Sequence, residues 1–184
     1  MWMVLFEVEP KPERWEAYLA HAAALRPALL RIDGFLDNRR FTSVRRPGVL
    51  LSLSLWRDEA ALITWRGHGR HHVAQTAGRD QVFRDYRLRV GEVADDAAPD
   101  RAASVIESPA WETPPGIDGL DDWDRFDGIT EPGASLMLLS WRDGSAMRGW
   151  PPAGGARRTD VAIRRDYGMR DRGEAPQIFP PVDP

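Results

Sequence analysis

The chain has 184 residues, with 28 acidic and 25 basic side chains and a formal charge of −3, a length that suits one moderate domain or two small ones. Its 42% hydrophobic content provides a buried core without disulfides, and the absence of cysteine excludes thiol catalysis and cysteine metal sites. The near-neutral charge gives no electrostatic basis for binding nucleic acid or an anionic membrane, and no stretch approaches the roughly 20 apolar residues of a membrane span. Because no export signal is recognisable at its start, we expect a cytoplasmic protein.

Residues 1–95 predict four strands and two helices in the order βαββαβ. Residues 4–9 are a short apolar run that Pro10 ends, which is typical of a strand before a turn. After Pro12, apolar side chains at three- and four-residue steps predict an amphipathic helix that Gly34 closes. These side chains are Trp15, Tyr18, Leu19, Ala22, Leu25 and Leu29.

The rest of this unit predicts a hairpin, a second helix and a last strand. Residues 35–44 read as a strand, residues 46–48 as a turn, and the leucines that alternate with serines over residues 51–55 as a half-buried antiparallel strand. Asp58 suits the N-cap of a helix that runs toward Gly78. Residues 86–90 alternate again and predict the fourth strand.

An internal repeat is the most informative feature of the sequence. Residues 32–65 align with residues 117–150 without a gap, and 15 of the 34 aligned residues are identical. The identities include the Ile-Asp-Gly triplets that start at 32 and 117, and the Arg-Asp-Tyr triplet at 84 reappears at 165. We therefore predict a complete unit at residues 1–95, a linker at residues 95–101 and a second unit at residues 101–184.

The second unit is degenerate. A strand near residues 104–108 is followed by only eight residues before Ile117, so the first helix is missing, and Pro151 and Pro152 interrupt the second helix. The βαββαβ order is the ferredoxin-like arrangement, whose sheet carries helices on one face and needs cover on the other. We predict an α+β fold in which the two antiparallel sheets pack as a dimeric or intrachain pseudo-dimeric barrel, with homodimerisation left open.

All four histidines lie in the first unit, and three of them fall in its second helix. On an ideal helix Trp65, His68 and His72 share one face and His71 points away, although the glycines beside His68 disturb the phase. The pair His68 and His72 lacks a third ligand, so we predict no metal site. No glycine-rich nucleotide loop is present, which argues against a bound flavin or nicotinamide.

These patterns resemble the antibiotic biosynthesis monooxygenase superfamily of dimeric α+β barrels. The run WRDEAALITWRGHGRHHVAQTAGRDQVFRDYRLRV is similar to its second helix and last strand, and IDGF and PGVLLSLSLWRD are similar to its second and third strands. The resemblance covers residues 1–93 well and residues 117–173 as a decayed repeat. It matches His71, rather than His68 or His72, to the recurring histidine of similar sequences.

The resemblance implies a monooxygenase that oxidises a quinol-like or polycyclic aromatic molecule with dioxygen and without a cofactor. A group that titrates near neutrality has to remove a proton, and the candidates are His71, His68 and His72, between the sheet and the second helix of the first unit. Trp65, Gln75 and Trp56 are predicted to contact the substrate. A haem-binding or haem-degrading protein is the alternative, with His71 or His72 as a shifted ligand, because the haem-ligating histidine of similar sequences falls near Gln75. A non-catalytic small-molecule-binding barrel is the third class.

Overall fold

The computed structural model describes residues 1–93, 99–108, 114, 116–149, 155–176 and 179–182. Within these ranges the strands are β1 (Trp2–Pro10), β2 (Phe35–Ser43), β3 (Leu50–Trp56), β4 (Phe83–Val93), β5 (Ala102–Glu107), β6 (Leu120–Gly128), β7 (Ser135–Trp141) and β8 (Arg157–Gly168). The α-helices are α1 (Trp15–Leu29), α2 (Glu59–Gly67), α3 (Gly69–Ala77) and α4 (Gly144–Gly149). A 3-10 turn at Pro12–Arg14 leads into α1, and a π-helical turn at Gly78–Val82 follows α3.

The strands form one closed barrel in the order β1-β3-β2-β6-β7-β5-β8-β4, and neighbouring strands are antiparallel. The first half of the chain contributes β4-β1-β3-β2 and the second half contributes β8-β5-β7-β6, so both halves use the same order of strands. Two seams join the halves, because β2 pairs with β6 and β4 pairs with β8. The predicted α+β barrel of antiparallel sheets is thereby confirmed.

The division of the chain into a complete and a degenerate unit stays a prediction. Residues 95–98 of the predicted linker, residues 109–113 and residues 150–154, with Trp150, Pro151 and Pro152, lie outside the described residues. In the part of the second half that the structure describes, one short helix, α4, occupies the place that α2 and α3 take in the first half.

The repeated Ile-Asp-Gly triplets adopt the same local structure in the two halves. Gly34 and Gly119 both have a φ of 86°, a left-handed conformation that side chains rarely adopt. A Cβ atom added to Gly34 would lie 2.7 Å from the Cβ of Ala61, and one added to Gly119 would lie 2.4 Å from the Cβ of Ala146. Both positions therefore require glycine, because the turn before the second strand of each half touches the helix after the third.

Strand alternation divides the side chains between the barrel interior and the outer face. In β3, Leu51 and Leu53 are fully buried in the interior, whereas Ser52 and Ser54 face a cavity beneath the helices. The sequence predicted this alternation of leucine and serine. The structure adds that the serine side of β3 faces the cavity. The interior core consists of Met3, Leu5, Phe41, Leu51, Leu53, Ala103, Val105, Phe126, Leu136, Leu138, Val161 and Ile163.

A buried ionic network also connects the two halves. Glu7 of β1 pairs with Arg89 of β4, and Arg46 in the turn between β2 and β3 hydrogen-bonds to both Glu7 and Asp124 of β6. Burial raises the pKa of Glu7, but the positive charges of Arg89 and Arg46 outweigh burial and hold the pKa below its ordinary value. Glu7 is therefore ionised at neutral pH.

The predicted second helix is in fact two helices. The side chain of Asp58 accepts a hydrogen bond from the Ala61 N–H at 2.9 Å, so α2 has the predicted N-cap. The chain leaves the helical conformation at His68, whose ψ is 125°, because the glycines on either side of it favour helix weakly. Beyond Gly67 the phase of an ideal helix is lost, and α3 presents a different set of side chains to the sheet.

Candidate active site

A cavity of about 220 Å³ lies between the outer face of the first-half sheet and helices α1, α2 and α3. Its floor is formed by side chains that point away from the barrel interior: Val4, Phe6, Asn38, Arg40, Ser52, Ser54, Trp56, Tyr86, Leu88 and Val90. The helices supply the walls, with Tyr18 and His21 from α1, Trp65 from α2, and His71 and Gln75 from α3.

Trp65 and His71 form a stacked pair in the cavity wall. Their ring centroids are 4.5 Å apart and their planes are inclined by 14°. The Nδ1 atom of His71 lies 3.1 Å from the Trp65 carbonyl oxygen. Since a carbonyl can only accept, Nδ1 carries the proton and Nε2 keeps its lone pair as an acceptor for a ligand.

Burial lowers the pKa of His71 to about 4, and the hydrogen bond to the Trp65 carbonyl opposes this shift only in part. Burial acts in this direction because it disfavours the charged imidazolium. His71 is therefore neutral at pH 7 and accepts hydrogen bonds there. This pKa is lower than the near-neutral value that the sequence led us to expect for the proton acceptor.

The other two predicted histidines do not line the cavity. The His68 ring lies 5.5 Å from the Trp65 ring at the junction of α2 and α3, and its buried Nδ1 atom has no hydrogen-bond partner. His72 is exposed and stacks on Phe179, with the ring centroids 5.8 Å apart. Of the three predicted histidines, His71 alone is at the cavity, and its catalytic role stays a prediction.

The predicted substrate contacts lie together in the same space. Trp56 is 1% exposed, and its indole N–H donates to the Ser54 hydroxyl at 2.9 Å. Gln75 lines the cavity from α3, and its buried Oε1 atom has no hydrogen-bond partner. The cavity therefore brings together Trp56, Trp65, His71 and Gln75. Their contact with a substrate stays a prediction.

The charged residues of the lining are all basic. Arg40, Arg66, Arg79 and Arg172 line the cavity, and no aspartate or glutamate does so among the described residues. Arg79 is 8% exposed, in the π-helical turn after α3. This positive charge stands out in a chain with a net charge of −3, and it favours an anionic ligand.

The second half of the chain completes this first-half cavity. Tyr167 of β8 lines it, as do Arg172 and Phe179, which follow β8 in the chain. These residues and Arg79 were not predicted from the sequence as site residues. A signal for the tyrosines was nevertheless present, because Tyr86 and Tyr167 occupy equivalent positions in the repeated Arg-Asp-Tyr triplets and both line the cavity.

The described ranges contain no group of three or more His, Cys, Asp or Glu side chains that could hold a metal ion. None of the helices in the described part of the chain is long and apolar enough to cross a bilayer.

An eight-stranded α+β barrel with a cavity beneath its helices defines the class of fold. Within this class the chain belongs to the antibiotic biosynthesis monooxygenase family. The family model named antibiotic biosynthesis monooxygenase matches residues 1–77. The jasmonate monooxygenase ABM of Pyricularia oryzae is 38% identical over 217 aligned residues, which cover 99% of this chain and 100% of that protein.

Solved structures are similar at lower sequence identity. The crystal structure of an aldoxime dehydratase superposes with a TM-score of 0.57 at 11% identity, over 88% of this chain and 80% of that one. The crystal structure of an anthrone oxidase-like protein has a TM-score of 0.43 at 12% identity, over 98% of this chain and 96% of that one. At 11% identity the likeness to the aldoxime dehydratase concerns the fold alone.

Proposed function

We propose that this protein is a cofactor-independent monooxygenase that oxidises a quinol-like or polycyclic aromatic molecule in the cavity beneath α1, α2 and α3. The observation that carries the proposal is the stacked pair of Trp65 and His71, which puts an imidazole acceptor beside a flat aromatic surface in a largely apolar cavity. An aromatic substrate can stack against such a surface while Nε2 accepts its proton.

Proton removal by His71 needs support from the rest of the cavity. A phenol-like group with a pKa of about 10 and an imidazole with a pKa of about 4 differ by roughly six units, which makes the transfer uphill by roughly 8 kcal/mol. The cavity arginines offset this cost because their positive charges stabilise the substrate anion more than its neutral form. His71 therefore accepts and orients the proton, and the arginines make the anion accessible.

The oxidation step balances without an external reductant. The substrate anion gives an electron to dioxygen, the two radicals combine to a peroxide on carbon, and loss of water leaves a carbonyl group. One oxygen atom enters the substrate. The other leaves as water with two substrate hydrogens, which are the proton lost on ionisation and the hydrogen on the carbon that is oxidised. An apolar cavity favours this sequence because it keeps bulk water away from the carbanion.

Jasmonate is a second candidate substrate, because a relative of matching full length carries jasmonate monooxygenase in its name. The carboxylate of jasmonate is compatible with a lining whose charged groups are all basic. The two candidates share the same cavity and differ in whether the substrate enters as a neutral aromatic or as a carboxylate.

Oxygen uptake tests the proposal. Purified protein without added flavin, metal or haem is mixed with anthrone, a naphthol, a quinol or jasmonate, and dioxygen consumption and product mass are recorded. We expect uptake with at least one of them and a product that contains one new oxygen atom. No uptake despite ligand binding would assign the protein to the non-catalytic binding barrels, and a Soret band on titration with haem would favour the haem alternative.

A further inference from the structure

We propose that Arg79 and Arg172, with the Tyr86 hydroxyl between them, bind a carboxylate of the substrate, so that the ligand is an acid with an apolar cyclic body. The inference rests on the proposed function in taking this acid to be the molecule that is oxidised. It assigns the recognition of the acid to residues from both halves of the chain.

Two guanidinium groups converge on one neutral oxygen atom. The Nη1 atom of Arg79 donates to the Tyr86 hydroxyl oxygen at 2.8 Å, and the Nη1 atom of Arg172 donates to the same oxygen at 2.6 Å. The two guanidinium groups therefore concentrate positive charge around one point of the cavity wall. A carboxylate with two oxygen atoms matches a pair of guanidinium forks better than any neutral group does.

Arg79 is a buried cation that hydrogen-bonds to neutral groups. Besides Tyr86 it donates to the Pro180 carbonyl oxygen, and no carboxylate of the described residues forms an ion pair with it. Arg89, which is similarly buried, pairs with Glu7. A buried charge is costly without a counter-ion, and a bound anion would supply one for Arg79.

Aromatic rings surround this pair of arginines and continue into the apolar part of the cavity. The Phe179 ring centroid lies 5.1 Å from the Cζ atom of Arg79 and 5.7 Å from the Cζ atom of Arg172. Phe83, which lines the cavity beside them, contacts Tyr86 edge to face. An acid bound by the arginines would therefore have its apolar body in direct contact with aromatic rings.

The spacing along the sheet leaves room for that body. Tyr86 and Val90 lie four residues apart on β4, which is about 13 Å at the rise of a strand. Val90 packs in the same apolar cluster as Trp65, the partner of His71. A substrate with its carboxylate near Tyr86 thus reaches the stacked pair with a ring system of one or two rings between them.

A matched pair of ligands tests this assignment. 1-Naphthylacetate and the neutral 1-naphthylacetamide share the aromatic body and differ in charge, and their affinities for the full chain are measured by calorimetry at pH 7.5. We expect the acid to bind about tenfold tighter or better than the amide, the range of a hydrogen bond to a charged group. Equal affinities would overturn the proposal without any variant.

Substitutions then locate the anchor. Arg79→Gln and Arg172→Gln should each remove about tenfold or more of the affinity for the acid and leave amide binding nearly unchanged, which also reports that the variant is folded. Arg70→Gln removes the same charge from the exposed surface of α3 and should change neither affinity. A preference for the acid that survives both cavity variants would overturn the assignment to this pair.

Oxygen uptake separates this inference from the proposed function. One outcome is that acids bind through Arg79 but neither they nor any other candidate is oxidised. This outcome would contradict the proposed function and leave the carboxylate site in place. Oxidation of a neutral anthrone, together with equal affinities for acid and amide, would contradict the carboxylate site and leave the monooxygenase activity in place.

Discussion

The burial of His71 against Trp65 makes the stability of the protein depend on pH. The pKa of His71 is about 4 in the folded chain and about 6.5 in the unfolded chain, so the unfolded chain binds more protons between these values. The free energy of unfolding should therefore fall by about 2 kcal/mol between pH 7 and pH 5 on account of this side chain. Urea unfolding at the two pH values measures the change.

His71→Gln is the control for this prediction, because glutamine keeps polar atoms at the position but does not titrate. The variant should lose the pH dependence in this window. The contribution of Glu7 to stability can be told apart from that of His71. Because the pKa of Glu7 in the folded chain lies below its ordinary value, the stability that Glu7 contributes is lost only at more acidic pH. The same fall in stability between pH 7 and pH 5 in the wild type and in His71→Gln would contradict the assignment of the effect to His71.

The roles proposed for His71 and Trp65 differ, and kinetics can separate them. His71→Ala should lower kcat by about a hundredfold or more, the range of a positioned proton acceptor, with a small change in KM. Trp65→Ala should mainly raise KM because it removes the surface on which the substrate stacks. His72→Ala is the matched control, because the exposed His72 side chain is not part of the cavity lining and touches it only through Phe179. An equal loss of kcat in the His71 and His72 variants would show that the cavity lining is not the working site.

At the scale of elements, the strands and the order of elements could be predicted from the sequence. Which side chains of the second helix of the first half face the sheet could not be predicted. Alternation in β3 and the Asp58 cap depend on neighbours in sequence, so local patterns reveal them. The break at His68 changes which side chains face the sheet. How far the helix phase shifts at this break depends on how α3 packs in the tertiary structure. For this reason the ideal-helix phase grouped Trp65 with His68 and His72, whereas the structure stacks Trp65 on His71.

The arginines of the site escaped prediction for a related reason. Arg79, Arg172 and Arg40 come from three separate segments that the tertiary fold brings to one cavity. In a chain with 25 basic residues, nothing in their local sequence distinguishes them from arginines that pair on the surface. What marks them is the absence of acidic side chains from the lining in the described residues, which is a property of the fold.

Two glycines provide a matched test of the repeated turn. Gly34 and Gly48 both have a positive φ, of 86° and 88°, but a Cβ atom would meet Ala61 at Gly34 and nothing within 4 Å at Gly48. Gly48→Ala should cost about 1 to 2 kcal/mol for the left-handed backbone alone. Gly34→Ala should cost clearly more in urea unfolding, because the added methyl group also displaces α2. Equal losses would mean that the contact between turn and helix contributes little.

At the scale of the whole molecule, each half has one face that only the other half covers. Leu5, Leu51 and Leu53 of the first half are fully buried against side chains of the second half, such as Val105 and Leu138. Deleting residues 101–184 should expose this face, so we expect the truncated chain to self-associate or aggregate and to bind hydrophobic dyes. Analytical ultracentrifugation and thermal unfolding measure this. A truncated chain that remains monomeric and as thermally stable as the full chain would contradict the prediction.

The two seams of the barrel join parts of a single polypeptide. β4 and β8 pair over seven residues and β2 and β6 over three, and both contacts form without bringing two molecules together. Barrel closure is therefore a unimolecular event that loses no translational entropy of association. If barrel closure limits thermal stability, dilution should leave the melting temperature unchanged. A barrel shared between separate chains would instead melt at a lower temperature on dilution. Covalent linkage also lifts the symmetry that identical subunits impose, so one sheet can keep a ligand cavity while the other contributes residues to close it.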